Sequence, residues 1–376
     1  MTVNILHLHS SFDLGGKEAR AVRLMNAFGK AARHVIVSGV DGAYGAQAAI
    51  ARGIDYEIAQ TPPPLTGKPS VARYDAIARY MRRFDLVLTY NWGAVDGVMA
   101  ARVFSKGAPP VVHHEDGFGS DEAERLNRKR NFYRRMALGA AHGLAVPSEK
   151  LERIALDIWK QPPARVHRIS NGIPTALYAG RAEPKAIPGF VKGKEPVVGT
   201  LAGLRTVKDL PLMVRAVGGI ARNVRLVIVG EGPERAAIER QAAAMFMAER
   251  VHLPGFLPSP HRYIGLFDIF MLSSESEQQP ISVMEAMAAG LPIVAPRVGD
   301  IAAMVAPENL PYLVDERHEV ALRDALSALV NDPEARARIG AANRARAAAM
   351  FDDRAMVDAY VRLYEGAMAL PGVLRA

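Results

Sequence analysis

Cysteine is absent from the 376 residues of this chain. Disulfides, thiolate zinc sites, iron–sulfur clusters and cysteine nucleophiles are thereby excluded, and a reducing compartment suits the chain. No stretch of about 20 apolar residues is present to span a bilayer. Nor does the amino terminus read as a secretory signal: "VNILHLH" is too short and polar for its core, and no basic stretch precedes it. Long like-charge blocks, low-complexity tracts and repeats of solenoid length are missing too, which argues against disorder and against a repeat architecture. The expected setting is the cytoplasm.

What is present is an apolar content of 49% and a net charge of +8. The first suffices for the cores of two or three domains. The second favours anionic partners, whether nucleotides, phospholipids or nucleic acid. Short apolar runs alternate with longer helical periodicity: "VNILHLH" reads as a strand and "KEARAVRLMNAFGKA" as a helix, with "HVIVSGV", "DLVLTYN", "PPVVHHE" and "GLAVPS" as further strands. After residue 195 the rhythm restarts with "PVVGTLAG", "VRLVIVGEG", "ERVHLPGF", "FDIFMLSS" and "LPIVAP". The pattern predicts two Rossmann-like, doubly wound α/β domains with parallel sheets, over residues 1–172 and 195–353. A Pro-, Gly- and Lys-rich stretch at 173–194 reads as the linker. Past residue 318 the chain reads as almost wholly helical.

The first turn holds Gly15-Gly16 instead of the G-x-G-x-x-G of a nicotinamide site, which argues against hydride transfer. The pair allows close backbone approach before a helix N-terminus, suited to a phosphate or hydroxyl, or it makes a plain tight turn. A denser signal is "ESEQQPISVMEAMAAGLP", residues 275–292. It follows a strand, where open α/β sheets place ligands. Pro280 suits a helix start and Gly290 its end. Glu277 falls in the loop and Glu285 about one turn into the helix. Glu285 sits among Val283, Met284, Ala286, Met287 and Ala288, so a carboxylate with a specific hydroxyl partner is expected there rather than a solvated one.

With Glu277 and Glu285 separated by seven residues and followed by "AMAAGLPIVA", the chain resembles the retaining glycosyltransferases of family 4 and their E-x7-E signature. The likeness runs through most of the chain: Gly15-Gly16, "RISNGI", "VIVGEGPERAAIE" and "FDIFMLSSESEQQP" match family segments in order. It implies the GT-B architecture, two Rossmann-like domains facing a central cleft, with the acceptor in the first and a nucleotide-diphosphate sugar, UDP- or GDP-linked, in the second. It also implies that the last helix, 354–376, crosses back to the first domain. Glu277 would contact the donor sugar and Glu285 the ribose hydroxyls, while the backbone of Gln278, Gln279, Pro280 and Ile281 would hold sugar and diphosphate. Gly15 and Gly16 would also serve the donor. The base would lie near Val251 and Phe256.

Lys208 falls on the lysine of the family's diphosphate clamp. The family arginine five residues earlier is Gly203 here, which leaves Arg205 as its nearest replacement. Without the resemblance, both cations read as solvated surface residues. No metal and no further cofactor are expected, since two cations can neutralise the leaving nucleotide. In "PPVVHHEDGFGSDE", strand alternation sends His113 and Glu115 one way and His114 and Asp116 the other, so the four cannot ligate one ion. Asp116 stands where the family has a reaction-centre histidine, with His114 beside it on the acceptor or sugar face.

The basic run at 125–135, "RLNRKRNFYRR", reads either as a solvated helix face or as a surface for an anionic membrane, with Leu126, Tyr133, Met136, Ala137 and Ala140 toward one side. Glycan or lipid-linked acceptors fit the family, in synthesis of surface polysaccharide or glycoconjugates. A sugar-nucleotide epimerase of the same architecture is the alternative enzyme. A nucleic-acid-binding protein fits less well, because the charge is dispersed and the aromatics do not interleave with the basic run.

Overall fold

A computed structural model of the chain describes residues 2–13, 15–118, 122, 125–221 and 223–375. It divides into two compact units, the first made of Met1–Phe118, Arg125–Asn171 and Arg354–Ala376, the second chiefly of Gly172–Asp353. Among the described residues, the first unit holds strands β1 (Val3–His9), β2 (Ala32–Ser38), β3 (Asp55–Ile58), β4 (Leu86–Tyr90), β5 (Val111–His114), β6 (Gly143–Val146) and β7 (Val166–Arg168). Helices α1 (Gly16–Phe28), α2 (Val71–Met81), α3 (Val95–Val103), α4 (Arg128–Leu138) and α5 (Glu149–Asp157) separate them. The sheet is parallel, in the order β3-β2-β1-β4-β5-β6-β7.

The second unit repeats the plan with β8 (Val197–Leu201), β9 (Arg225–Val229), β10 (Val251–Gly255), β11 (Ile269–Met271), β12 (Ile293–Pro296) and β13 (Leu313–Val314). Its helices are α6 (Leu210–Gly218), α7 (Arg235–Ala244), α8 (Ile281–Ala288), α9 (Ile301–Met304), α10 (Glu319–Asn331) and α11 (Pro333–Met350). This parallel sheet runs β10-β9-β8-β11-β12-β13. The final helix, α12 (Asp353–Met368), places Met356, Tyr360, Val361 and Tyr364 in a core of the first unit with Ile5, Leu24 and Leu88. Both sheets bury side chains on both faces, which is why their central strands are rich in Val, Ile and Leu.

Three strands lie outside the sequence expectation: β3, β7 and β13. All are short, β3 and β7 stand at the edges of the first sheet, and their "DYEI" and "VHR" mix exposed or half-buried polar residues into the run. An edge strand needs no second apolar face, so its periodicity is weak. The expected linker at 173–194 is corrected. Ile173, Tyr178, Ile187 and Phe190 are buried in the second unit's core, and Ile173 bridges to Asp352. Its Pro, Gly and Lys content signalled irregular backbone, but four apolar side chains are enough to seat that backbone on a core.

Helix α8 meets α11 backbone to backbone. A methyl group on Gly340 would run into the carbonyl oxygen of Gly290, and Arg344 Nη2 donates to the Ala289 carbonyl at 2.7 Å, capping the end of α8. Gly366, inside α12, has open space where a Cβ would sit. Opposite outcomes are therefore expected from one chemical change. Gly340→Ala should destabilise the fold by about 1–3 kcal/mol, by overpacking, whereas Gly366→Ala should stabilise it by roughly 0.5–1 kcal/mol. Urea unfolding midpoints of the two variants check both signs.

Candidate functional site

The order of the second sheet changes direction between β8 and β11, the place where doubly wound sheets form a crevice at their strand ends. Lys208 follows β8 and Glu277 follows β11, and the structure joins them. Lys208 Nζ donates to Glu277 Oε1 at 2.5 Å, and Ser274 Oγ donates to the same oxygen at 2.7 Å. The two loops are stitched by backbone as well: Ser273 Oγ donates to the Lys208 carbonyl at 2.8 Å, and the Glu275 amide to the Val207 carbonyl at 2.9 Å. Asp209 ends the lysine turn with φ of 41° and caps α6, its carboxylate accepting from the Leu212 amide. Arg317 Nη1 donates to the other oxygen of Asp209 at 2.5 Å.

Arg205 bears on the missing family arginine. A Cβ built on Gly203 would lie 3.5 Å from Arg205 Nε and 3.9 Å from its Cζ. The guanidinium thus folds back over the place where a side chain at 203 would begin. Arg205 is exposed, and among the described residues no hydrogen bond or ion pair engages its side chain. The supporting turn is built by glycines. Gly230 and Gly232 hold φ of 147° and 156°, and a Cβ on either would collide with the Ala202 or Leu204 carbonyl. This lets the Leu204 amide donate to Glu231 O at 2.9 Å and the Glu234 amide to Leu204 O at 3.0 Å. The "GEGP" turn therefore shapes the 202–205 loop beside it.

Pro280 stands as the residue before α8, with Ile281 its first helical residue. Gln278 is buried and its carbonyl accepts from the Asp300 amide at 2.8 Å. A Cβ on Gly299 would strike the Glu277 and Gln278 carbonyls, so that loop closes tightly on the carboxylate's backbone. Glu285 is half-buried, and Tyr178 Oη donates to its Oε1 at 2.8 Å. Tyr178 is a site residue that the sequence reading missed. Phe256 is 51% exposed, just past the carboxyl end of β10. Val251 is corrected: it opens that strand, roughly 13 Å from the edge that carries the carboxylates, since four residues of a strand intervene.

In the first unit the corresponding change of order falls between β1 and β4. Gly15 is the residue before α1 and Gly16 its first; Lys17 Nζ donates to the Ser11 carbonyl at 3.2 Å and pairs with Glu18. After β5, Asp116 forms a two-pronged ion pair with Arg20 of α1, with Arg20 Nη2 donating to Oδ2 at 2.8 Å. Arg20 is 2% exposed, donates also to Asn171 Oδ1 at 3.1 Å, and lies 5.4 Å from the Tyr360 ring centre. Burial opposes its charge, but Asp116 and the α12 tyrosines outweigh that and raise its pKa above the ordinary arginine value. The Asp116 amide donates to Asn91 Oδ1 at 2.7 Å, from a residue held at φ of 56°.

His114 does not share the open position of Asp116, and its expected place on the ligand face is corrected. It is fully buried; its Nδ1 donates to the Thr89 carbonyl at 3.1 Å, which leaves Nε2 to accept from Tyr364 Oη at 2.8 Å. Burial, then the Arg20 charge, depresses its pKa well below the usual histidine value, so it is neutral. Helix α12 covers this strand face, a tertiary event that alternation alone does not reveal. His113 and Glu115 point the other way: His113 Nδ1 meets Thr89 Oγ1 at 2.7 Å, and Glu115 Oε2 accepts from Arg134 Nε at 3.1 Å.

That pairing reshapes the basic segment. Arg134 is 1% exposed, with Trp92, Phe118 and Trp159 ring centres at 5.0, 5.2 and 5.3 Å. Tyr133, Ala137 and Ala140 pack on the first unit's core, so the apolar side of α4 faces inward. Met136 is corrected to the outer side. The exposed stripe carries Arg128, Lys129, Phe132, Arg135 and Met136. No helix of the described residues is long and apolar enough to cross a membrane.

Comparison with known proteins matches a Glycosyltransferase Family 4 domain at residues 14–177 and a Glycosyl transferases group 1 domain at residues 182–346. The lipopolysaccharide core biosynthesis glycosyltransferase LpsD of Rhizobium meliloti is 28% identical over 42% of this chain and 46% of its own length. D-inositol 3-phosphate glycosyltransferase of Nocardia farcinica is 31% identical over 68% of this chain and 61% of its own. The chain spans about half the length of the first curated relatives it matches. Among solved structures, Anabaena Alr3699/HepE in complex with UDP and glucose superposes with a TM-score of 0.79, at 19% identity, over 97% of this chain and 100% of that one. With the two domains matched in order, one on each α/β unit, the chain belongs to the family 4-type glycosyltransferases.

Proposed function

We propose that this chain is a retaining, metal-independent glycosyltransferase that moves a sugar from a UDP- or GDP-sugar to a glycan or lipid-linked acceptor in surface polysaccharide or glycoconjugate synthesis. The observation that carries this reading is the meeting of Lys208, Glu277 and Ser274 where the second sheet changes direction, with Arg205 folded over Gly203 on the same loop as Lys208. An ammonium and a guanidinium there can neutralise a diphosphate. Glu277 reads the sugar hydroxyls, Glu285 the ribose, and the backbone of Gln278 to Ile281 the remaining oxygens at the start of α8. Relatives whose names specify lipopolysaccharide core or inositol phosphate glycosylation support the reaction class.

In front-face substitution, the acceptor oxygen bonds to the anomeric carbon as the bond from that carbon to the diphosphate breaks. Both lie on the same face, so configuration is retained, and the acceptor's proton passes to the departing phosphate oxygen. Lys208 and Arg205 stabilise the charge gathering on that phosphate, an effect largest in the transition state. Asp116, held in one orientation by Arg20 and Asn91, supplies a polar group toward the positive charge developing on the sugar. The exposed cations and Phe132 of α4 fit an anionic membrane surface at the cytoplasmic face, with Phe132 66% and Met136 40% exposed.

Thermal shifts with UDP, GDP, ADP and TDP test the donor class: the cognate nucleotide at 100 times its dissociation constant should stabilise by about 2.7 kcal/mol. If none of the four raises the melting temperature, the assignment of the second unit is wrong. Lys208→Ala and Arg205→Ala should each lower kcat/KM by about 10²-fold, with weaker donor binding. Unchanged constants for Arg205→Ala would mean that another cation completes the pair. Asp116→Asn should lower kcat per folded molecule by about 10²-fold with little change in nucleotide affinity. It should also cost stability, because Arg20 loses its buried partner. A stability loss with normal kcat in the folded fraction would make Asp116 purely structural.

A further inference from the structure

Glu285 is gripped by a residue outside its own helix. Tyr178 reaches it from the Thr175–Ala179 turn, which the core of the second unit holds from several sides. The Ile173 amide donates to the Phe351 carbonyl at 2.9 Å, and the Asp353 amide returns a bond to the Ile173 carbonyl at 3.0 Å. Thr175 Oγ1 donates to Asp352 Oδ2 at 3.2 Å. The Tyr178 ring is 5% exposed and stands edge-on to His261, with centroids 6.0 Å apart and an interplanar angle of 80°. Its position is therefore set by the core, and only its hydroxyl reaches the carboxylate.

A glutamate has three side-chain torsions, and a half-exposed one samples several rotamers. A donor bond of 2.8 Å to Oε1 selects among them, while a carboxylate, with about four lone-pair sites, retains capacity to accept from ribose hydroxyls. Burial first, and the Glu285 charge second, raise the pKa of neighbouring Tyr263 above the ordinary phenol value, and Glu285 itself is half-buried. Such surroundings strengthen a hydrogen bond to a charged acceptor and penalise the acceptor left without one.

We infer that Tyr178 is a positioning residue that orients Glu285 for the ribose of the donor, so that discrimination between ribose and deoxyribose depends on a side chain outside the helix bearing the carboxylate. The inference rests on the assignment of Glu285 to the ribose. Holding the rotamer in the unliganded protein removes an ordering cost at binding, and that gain is realised only with ligands whose hydroxyls Glu285 contacts.

The test is calorimetric titration of the full chain and of Tyr178→Phe with UDP or GDP, whichever the wild type binds, and with the 2′-deoxy and 3′-deoxy forms of the same nucleotide. Tyr178→Phe keeps the buried ring and removes the hydroxyl. It should weaken the ribonucleotide about 5- to 10-fold, the scale of one ordinary hydrogen bond, and weaken at least one deoxy form much less. The wild-type preference for ribose then shrinks by a similar factor. Equal weakening of all three ligands would show a structural role only and would overturn the inference, as would unchanged or tighter ribonucleotide binding. Glu285→Gln separates the two assignments. If it leaves the ribose preference intact, the ribose assignment fails and the inference falls with it. If it removes the preference while Tyr178→Phe preserves it, Tyr178 alone is wrongly placed.

Discussion

A parallel sheet covered by helices on both faces can carry polar chemistry only at its strand ends, and this constraint organises both units. The central strands are packed chiefly by apolar side chains, and the carboxylates and cations of both candidate sites come where the chain leaves the sheet. Lys208 comes after β8, Glu277 after β11, Asn91 after β4 and Asp116 after β5. In the second unit Lys208 and Glu277 flank the position where strand order changes direction; in the first, Asn91 follows a strand beside that position and Asp116 follows the next strand along. At that change of direction the connecting loops diverge, and room remains for a ligand.

Loops so placed must be held still without a core of their own, and the chain does this by close backbone approach. Gly230, Gly232 and Gly299 sit where any side chain would collide with a neighbouring carbonyl. In consequence the loops bearing Arg205 and Glu277 are bonded through their peptide groups to adjacent turns. The same logic fixes α8, whose carboxyl end meets α11 through Gly290 and Gly340. The charged side chains therefore project from a rigid frame, which limits the reorganisation needed when a ligand arrives.

In the first unit the strand-end loop after β5 is fixed by charge. Arg20 grips Asp116 on one side of the sheet and Arg134 grips Glu115 on the other. Each arginine is almost wholly buried, where an unpaired charge would cost several kcal/mol or more. Neither carboxylate can turn away without giving up an ion pair to a buried guanidinium, so the loop is determined from both faces. The left-handed backbone at Asn91, with its side chain accepting from the Asp116 amide, is consistent with that over-determination.

Much of this was legible in the chain. The runs "VNILHLH", "DLVLTYN" and "FDIFMLSS" announced central strands because apolar residues fall on both of their faces. Glu285 stood out because a carboxylate amid apolar neighbours needs a reason, Glu277 by its place in the strand-end loop before it, and alternation alone separated His113 and Glu115 from His114 and Asp116. The residues that were misread, or not read at all, depend on contacts between segments far apart in sequence. Tyr178 lay in an expected linker until four apolar side chains seated it on a core. His114 lost its place on the ligand face because Tyr364, 250 residues later, covers it. Arg134 left the basic surface because Glu115 and three aromatic rings enclose it. Local pattern determined which residues share a face of an element, because that follows from helix and strand geometry. Which buried polar group meets which partner was decided by the tertiary structure alone, because a hydrogen bond depends on distance in space and carries no periodicity along the chain.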